Sequence, residues 1–374
     1  MTLNKSTTKS YETDASGLRG KAKEVIFPNS IPEVQKIVTI TPKIVPRGGG
    51  TGLAGGAVPQ NGQDTVLDLS KLTRIQSLDK ERSSIEVEAG VILDDLQHHL
   101  KRYNLEFPVN PSSHTIATIG GMIATDAVGS RAIKYGRTSK WVKWVDIVDS
   151  QGNLQRKGAT ELSDYAGMEG TTGVIVKACL KLSPRKLRTA SLVPLETVKE
   201  TLALVRQLKL DSSVSMMEFM DKRISKDLGL EERYHLIVEY ESDKGKIKDG
   251  AYEKLLALRD RTYPLLASEG YTRIEDPKIL TDRFDKIMPW FESKNIPVFG
   301  HLGVGILHPC FNHDQEKFIP EMMKLVRKLG GQISGEHGIG LLKKSFIEPN
   351  DKKILVNIKK RTDPINKFNQ GKVI

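Results

Sequence analysis

The chain is 374 residues long, 38% hydrophobic and 28% charged, with a formal net charge of +11 at pH 7. That length allows two domains with real cores, and that balance excludes a disordered, collagen-like or membrane-embedded chain. The excess of lysine and arginine is spread along the sequence beside only 6% aromatics and no base-reading motif, which argues against nucleic acid. Loose association with an acidic membrane surface or an acidic redox partner stays open.

Residues 1–10 are polar and expected to be unstructured. The run Met1-Thr-Leu-Asn-Lys-Ser-Thr has no apolar core of the signal-peptide kind, and no stretch reaches the length of a membrane span. Cys179 and Cys310 are too few for a disulfide framework, so a cytoplasmic chain is expected. Val25–Pro28 reads as a short strand. Ser30-Ile-Pro-Glu33 is a helix start, with a serine cap, proline in the first turn and glutamate three residues on. Val34, Ile37 and Val38 supply that helix with an apolar stripe.

Lys43–Val45 reads as a strand that opens into Pro46-Arg-Gly-Gly-Gly-Thr-Gly-Leu-Ala-Gly-Gly56, with six glycines between Gly48 and Gly56. No core needs that density, because glycine offers no packing and costs backbone entropy. It permits positive φ and close approach, so that successive N–H groups form a concavity for phosphate. Arg47 would add charge and Thr51 a hydroxyl donor. Gly50, Gly52 and Gly55 fit the dinucleotide fingerprint, but Pro59, Asn61 and Gly62 stop the helix it must open. The segment is therefore a glycine loop between strands, either a phosphate cradle or a surface loop, and the arginine beside it favours the cradle.

Thr65–Leu69 and Ser84–Glu88 read as strands, the second turning Ile85, Val87 and Ala89 inward. Ile92–Tyr103 is an amphipathic helix with Leu93, Leu96 and Leu100 on one face and His98 and His99 at the surface. Pro111 to Gly136 is rich in small residues: Ala117, Gly120, Gly121, Ala124, Ala127 and Gly129. Such a stretch either lets a flat ligand lie on backbone or packs two elements tightly. Trp141–Val148 reads as a buried strand, Asp149–Gly152 as a turn and Asn153–Arg156 as the returning strand. A second glycine and threonine turn, Ala166 to Gly173, leads a strand to Leu182.

Ser183-Pro-Arg185 marks a domain boundary, beyond which the glycine-rich style stops. Helices are expected over Leu195–Leu208, Ala251–Ala267, Ile279–Phe291 and Glu316–Leu329. Strands are expected over Val214–Phe219, His235–Tyr240 and Pro297–Phe299, with His235 an ordinary strand residue; the mixture suggests an α+β layer domain. His301 and His308 are seven apart, which throws them to opposite faces of a straight strand unless Gly303 and Gly305 bend it. Glu336 and His337 stand among Gly335, Gly338 and Gly340. Two histidines and a carboxylate would make a three-ligand metal set with a position left open. Taken alone, they read slightly better as three unrelated polar loop residues.

Five stretches in order carry a resemblance: Val45–Gly56, Ala117–Gly121 with Lys134–Gly136, Glu169–Ile175, Ile333–Gly340 and Asp363–Lys372. Together they resemble the FAD-dependent oxidases and dehydrogenases of the vanillyl-alcohol oxidase/PCMH superfamily. Within it they are similar to the group of the glycolate oxidase subunit, D-lactate dehydrogenase and D-2-hydroxyglutarate dehydrogenase. The resemblance implies an α+β fold: a two-subdomain PCMH-type FAD-binding domain (1–186), a shortened α+β cap (187–329) and a C-terminal segment returning to the FAD site (330–374).

By position it implies FAD contacts at Pro46, Arg47, Gly48, Gly49, Gly50, Thr51, Gly52, Gly55 and Gly56, then Pro111, Ser112, Thr118, Gly120, Gly121, Asp126 and Gly129. It continues them at Lys134, Tyr135, Gly136, Glu169, Gly170, Gly173, Ile175 and Asn369. The loop holds no histidine, so non-covalent FAD is implied. His301, His308 and Glu336 match ligands of a divalent metal such as Zn, and His337 matches the catalytic base. The implied reaction is oxidation of a small D-2-hydroxy acid to the 2-oxo acid, by hydride transfer to flavin N5. No iron–sulfur cysteine set is present, so electrons pass to a quinone, an electron-transfer protein or oxygen.

The sequence departs from that group at Gly303-Val-Gly-Ile306, where Gly-Asp-Gly-Asn is usual, and at Cys310, where an asparagine is usual. No arginine–lysine pair for a substrate carboxylate is evident beyond Arg283. These departures motivate an alternative: a non-catalytic or electron-relay flavin subunit of a larger complex.

Overall fold

The computed structural model describes residues 8–374, folded as two compact units. The first runs through Ala127, resumes at Arg137–Arg185 and closes with His337–Ile374; the second comprises Val128–Gly136 and Lys186–Glu336. The expectation of an unstructured start falls outside the described residues up to Thr7. At Thr8–Tyr11 it is corrected, because that segment forms a 3-10 turn.

In the first unit, β1 (Ala22–Ile26), β2 (Ile44–Arg47) and β3 (Asp64–Asp68) make a parallel sheet in the order β1-β3-β2. Parallel strands need a crossover, and the helix Ile31–Ile40 is part of it. Its start follows from sequence: Ser30 Oγ accepts from the Glu33 N–H at 3.4 Å, and Pro32 sits in the first turn. Glu33 accepts from Asn29 N at 2.8 Å, one residue before the cap. Val34 and Val38 are fully buried on its inner face.

The larger sheet of this unit uses β4 (Ile75–Asp79), β5 (Ser84–Glu88), β7 (Val142–Val148), β8 (Leu154–Gly158) and β9 (Val174–Lys181). Its order is β4-β5-β9-β7-β8, antiparallel throughout. β6 (Leu105–Glu106) pairs separately with β10 (Ser183–Pro184). Ile85 and Val87 face the core while Glu86 between them does not, the two-residue period of a half-buried strand. Leu93, Leu96 and Leu100 of the helix Leu93–Lys101, and Ile119, Met122 and Ile123 of the helix Ile119–Thr125, fill the same core, as does Phe368. β4 was not anticipated: its residues are partly or largely exposed, so it carries little apolar signal.

The second unit is built on one antiparallel sheet of β11 (Thr189–Leu195), β12 (Val214–Met220), β13 (Tyr234–Tyr240), β14 (Arg273–Ile274), β15 (Val298–His301) and β16 (Ile306–Phe311). The order is β11-β13-β12-β15-β16-β14. Leu195 ends β11 instead of opening a helix. The helix begins at Val198, after Thr197 Oγ1 accepts from Glu200 N at 3.1 Å. The helix expected over Ala251–Ala267 is two, Asp249–Asp260 and Thr262–Ser268.

The helix expected from Ile279 starts at Phe284. The preceding backbone is spent on β16: Glu275 N donates to Pro309 O, Leu307 N to Pro277 O, and Ile279 N to Gly305 O. The helix expected from Glu316 starts at Ile319, after a 3-10 segment His313–Phe318.

Candidate functional site

In the first unit the glycine loop leaves β2 and packs closely on its surroundings. A Cβ on Gly49 would lie 2.2 Å from Ile116 O, and one on Gly48 2.2 Å from Thr118 Oγ1. At Gly52 a Cβ would meet nothing within 4 Å. The loop is thus tight on one side and open at its tip, the shape of a cradle for a group held by backbone N–H donors. Gly50 and Gly55 have φ of +68° and +82°, which a residue with a Cβ rarely adopts. Arg47 is buried beneath the loop, where its Nη1 donates to Thr13 O at 2.8 Å and its guanidinium lies over the Tyr11 ring. Burial draws its pKa down, and nearby Asp68 and Asp14 oppose that.

Three later segments fasten this loop. Gly56 O accepts from Asn369 Nδ2 at 3.1 Å and from Lys372 Nζ at 2.9 Å. Asn369 Nδ2 also donates to Glu169 O at 2.6 Å. The Glu169 carboxylate accepts from Ile339 N at 2.6 Å and Gly340 N at 3.1 Å. A Cβ on Gly170 would sit 3.3 Å from Pro46 and 3.4 Å from Asn369 Nδ2. Pro46, Gly48 to Gly56, Glu169, Gly170 and Asn369, spread over the whole sequence, therefore meet in one place, with Thr118 against Gly48. Lys372 is buried with its pKa lowered to about 7, chiefly by desolvation.

The small-residue stretch divides. At Gly120 close packing applies, because a Cβ would lie 2.6 Å from the Ala89 Cβ. Gly121 N donates to Thr118 Oγ1 at 3.3 Å, capping the short helix. Asp126, at φ +49°, accepts from Ser139 N and Arg137 Nη1. Pro111 and Ser112 lie in a turn, with Ser112 exposed. Ile175 is buried in β9, and Gly173 precedes that strand. Gly129, Lys134, Tyr135 and Gly136 belong to the second unit. There Lys134 Nζ donates to Ser212 O at 3.0 Å and pairs with Glu241 at 2.7 Å, and Tyr135 donates to the same carboxylate.

The second unit brings His301, His308 and Glu336 together. β15 ends at His301, Leu302–Val304 makes one 3-10 turn, and β16 returns with Phe299 opposite His308 and His301 opposite Ile306. Gly305 closes the turn at φ +74°, where a Cβ would strike Ile279 O at 2.1 Å. The bend turns a seven-residue spacing into neighbours on one sheet face, with ring centroids 5.1 Å apart and perpendicular. Glu336 Oε1 is 3.1 Å from His308 Nε2, and Glu336 Oε2 is 3.6 Å from His301 Nε2. One ligand atom from each residue lies within 4.8 Å of the others.

Both histidines are buried. Glu218 accepts from His301 Nδ1 at 2.5 Å, and Arg259 donates to Glu218 at 2.8 Å and 2.9 Å. Burial opposes charge on His301, yet Glu218 and Glu336 outweigh it and push the imidazole up to about 10. Burial likewise opposes charge on Glu218, which His301 and Arg259 hold down to about 2. Two imidazoles and one carboxylate, one imidazole backed by a second carboxylate, form a donor set that fits a divalent ion and leaves a coordination position free. His337 is the next residue of the chain and is partly buried.

Glu218 was not foreseen, since nothing local in the sequence marks it. Lys372 lay inside the C-terminal signature without being singled out. Arg283 is exposed at the end of a 3-10 turn. Cys179 and Cys310 are free and buried, and no helix among the described residues is long and apolar enough to cross a membrane.

Comparison with known proteins agrees with this arrangement. Residues 22–158 match the model of an FAD binding domain, and residues 251–373 that of the C-terminal domain of FAD linked oxidases. A D-lactate dehydrogenase of Archaeoglobus fulgidus is 31% identical over 94% of this chain and 91% of its own. The glycolate oxidase subunit GlcD of Bacillus subtilis is 28% identical over 93% and 88%. A D-2-hydroxyglutarate dehydrogenase of Xanthomonas citri is 27% identical over 93% and 88%. Among solved structures, an alkyldihydroxyacetonephosphate synthase superposes with a TM-score of 0.65 at 15% identity, covering 94% of this chain and 76% of that one. It shares the fold. With the glycine cradle, both domain matches and a relative above 30% identity along nearly the whole chain, the protein belongs to the FAD-linked oxidases and is an FAD-dependent oxidoreductase.

Proposed function

We propose that the chain is a dehydrogenase that oxidises a small D-2-hydroxy acid, of the D-lactate, glycolate or D-2-hydroxyglutarate type, to its 2-oxo acid. The observation that carries this reading is the set of buried His301 and His308 with partly buried Glu336, their ligand atoms within 4.8 Å of one another, in a chain of this family. FAD, when bound, would supply the hydride acceptor for oxidation at the substrate Cα. The backbone of Gly48 to Gly56, with Pro46, Thr118, Glu169, Gly170 and Asn369 around it, would hold its pyrophosphate. His301, His308 and Glu336 would hold a divalent ion such as Zn, whose Lewis acidity eases loss of the substrate hydroxyl proton. His337 would take that proton on an imidazole nitrogen, which can accept one as a neutral ring. The relatives named after hydroxy-acid dehydrogenases support the substrate class.

With two buried, separate thiols and no cluster ligands, the chain hands its electrons to a quinone, an electron-transfer protein or oxygen. The same thiols support a reducing, cytoplasmic compartment. Residues 1–186 would act as the FAD-binding domain and 187–329 as the cap, with 330–374 returning to the cofactor.

The test is anaerobic mixing of the purified protein with glycolate, D-lactate and D-2-hydroxyglutarate while the flavin absorbance is followed, before and after treatment with a chelator. Bleaching by one acid that the chelator abolishes is the expected result. A yellow protein that no acid bleaches would overturn this substrate class. It would favour the relay reading, which one observation supports: Val304 and Ile306 pack with Val128 and Ala132 in an apolar cluster, so the turn between the histidines carries apolar side chains at those two positions.

A further inference from the structure

Each histidine of the three-ligand set has an acidic neighbour directly across its strand ladder. Glu218 of β12 stands opposite His301 of β15. The register of β14 on β16, Arg273 with Phe311 and Ile274 with Cys310, continues past the strand end to place Asp276 opposite His308. The bonds Glu275 N to Pro309 O and Leu307 N to Pro277 O, both 3.1 Å, bracket that pair.

The two carboxylates act on different parts of the set. Glu218 Oε1 takes the Nδ1 hydrogen of His301 at 2.5 Å. An ionised carboxylate only accepts, so Nδ1 must be the donor, and the lone pair of a neutral ring is left on Nε2, toward Glu336. The other oxygen of Glu218 is held by two nitrogens of Arg259, which prevents the carboxylate from turning away. Asp276, fully buried, accepts on Oδ2 from Ser334 Oγ at 2.9 Å, Gly335 N at 2.9 Å and Glu336 N at 2.6 Å. Three donors on one oxygen fasten the turn that carries Glu336. That turn cannot slide, because the Gly335 Cα lies so close to Ile306 that a Cβ there would be 2.6 Å from its Cγ1.

We infer that Glu218 and Asp276 are positioning residues of this centre: Glu218 aims the His301 ring, and Asp276 presents Glu336 from the backbone that runs opposite His308. Neither supplies an atom to the three-ligand set. The inference rests on the reading that His301, His308 and Glu336 hold a metal. Outer partners of metal ligands typically change affinity by about 10–100-fold when lost.

The experiment measures zinc(II) affinity by chelator competition on the FAD-loaded full chain, and the thermal midpoint of the zinc-free form, for wild type, Glu218→Gln and Asp276→Asn. The expected result is zinc binding weakened about 10–100-fold at unchanged FAD content. Glu218→Asp, which keeps the charge for Arg259 but draws the carboxylate back by one methylene, is expected to weaken zinc binding as well. A lower midpoint with wild-type zinc affinity would make the residues merely structural and overturn the inference. Where either amide variant fails to fold, Glu218→Asp and Ser334→Ala decide, and wild-type zinc affinity in both overturns it. A wild-type chain that takes up no zinc overturns the metal reading itself, an outcome distinct from variants that bind as well as wild type.

Discussion

The glycine loop of the first unit and the histidine hairpin of the second hold their shapes by opposite means. The loop has almost no side chains to offer. Its donors are backbone N–H groups, and its shape is set by residues from far along the chain that grip its carbonyl at Gly56. The hairpin has a regular backbone and relies on three side chains, each aimed by something else: His301 by Glu218, Glu336 by Asp276, and both histidines by the turn at Gly305. A site made of backbone is fragile to any added atom, whereas one made of side chains is fragile to their removal.

The largest expected effect is on the side-chain site. His308→Ala should leave the protein yellow but lower its metal-dependent turnover by about 10³-fold, because Lewis-acid assistance is worth several kcal/mol. Metal content and substrate-driven bleaching measured together check this; turnover near wild type in a metal-free variant would sink it.

The backbone site should separate two glycines. In Gly340→Ala, a methyl would fall 2.0 Å from Ala54 O at a φ of +50°. A loss of more than about 2 kcal/mol is expected, from the left-handed backbone together with the clash. Gly52→Ala meets nothing in the protein, so its denaturation midpoint should match wild type while its FAD affinity falls. Equal FAD affinity would show that the open side of the loop is not where the cofactor lies.

The buried carboxylates of the second unit make the comparison pH-sensitive. Asp221 caps a helix by accepting from Ile224 N and also accepts from Val298 N; burial, only partly offset by those bonds, raises its pKa to about 6. A raised folded pKa means that its contribution is complete below the unfolded value and lost as pH rises through about 6. Asp221→Asn keeps the cap acceptor and should flatten the rise in stability between neutral pH and pH 4, a change on the order of 2 kcal/mol. Thermal melts across that range check it. The smallest effect belongs to local chemistry remote from both sites: Ser30→Ala should cost about 1 kcal/mol through loss of one helix cap.

Much of the first unit was legible because its signals are local. Ser30 with Pro32 and Glu33 announces a helix start, Ile85 and Val87 an inward strand face, and the glycines from Gly48 to Gly56 a loop that must do something other than pack. The His301 and His308 pair was half legible: Gly303 and Gly305 suggested a bend, but only the register of β15 on β16 puts both rings on one face. Glu218 was not legible at all. It lies 83 residues before His301, and its role exists only once β12 and β15 pair. Asp276 is 58 residues from Ser334 and looks like any loop aspartate until the backbone after Ile274 is seen running along β16. The later start of the helix at Phe284 has the same origin, since Ile279, where the apolar pattern begins, gives its N–H to Gly305 O instead of opening a helix.

The fastening of Gly56 has a consequence for how the protein is made. The loop leaves the ribosome more than 300 residues before the Asn369 and Lys372 that grip it. At roughly 5–20 residues per second, that interval is about 15–60 s. Throughout it the nascent chain carries a glycine segment without its clasp, so the glycine loop is among the last parts of the first unit to mature, although it is among the first to be translated.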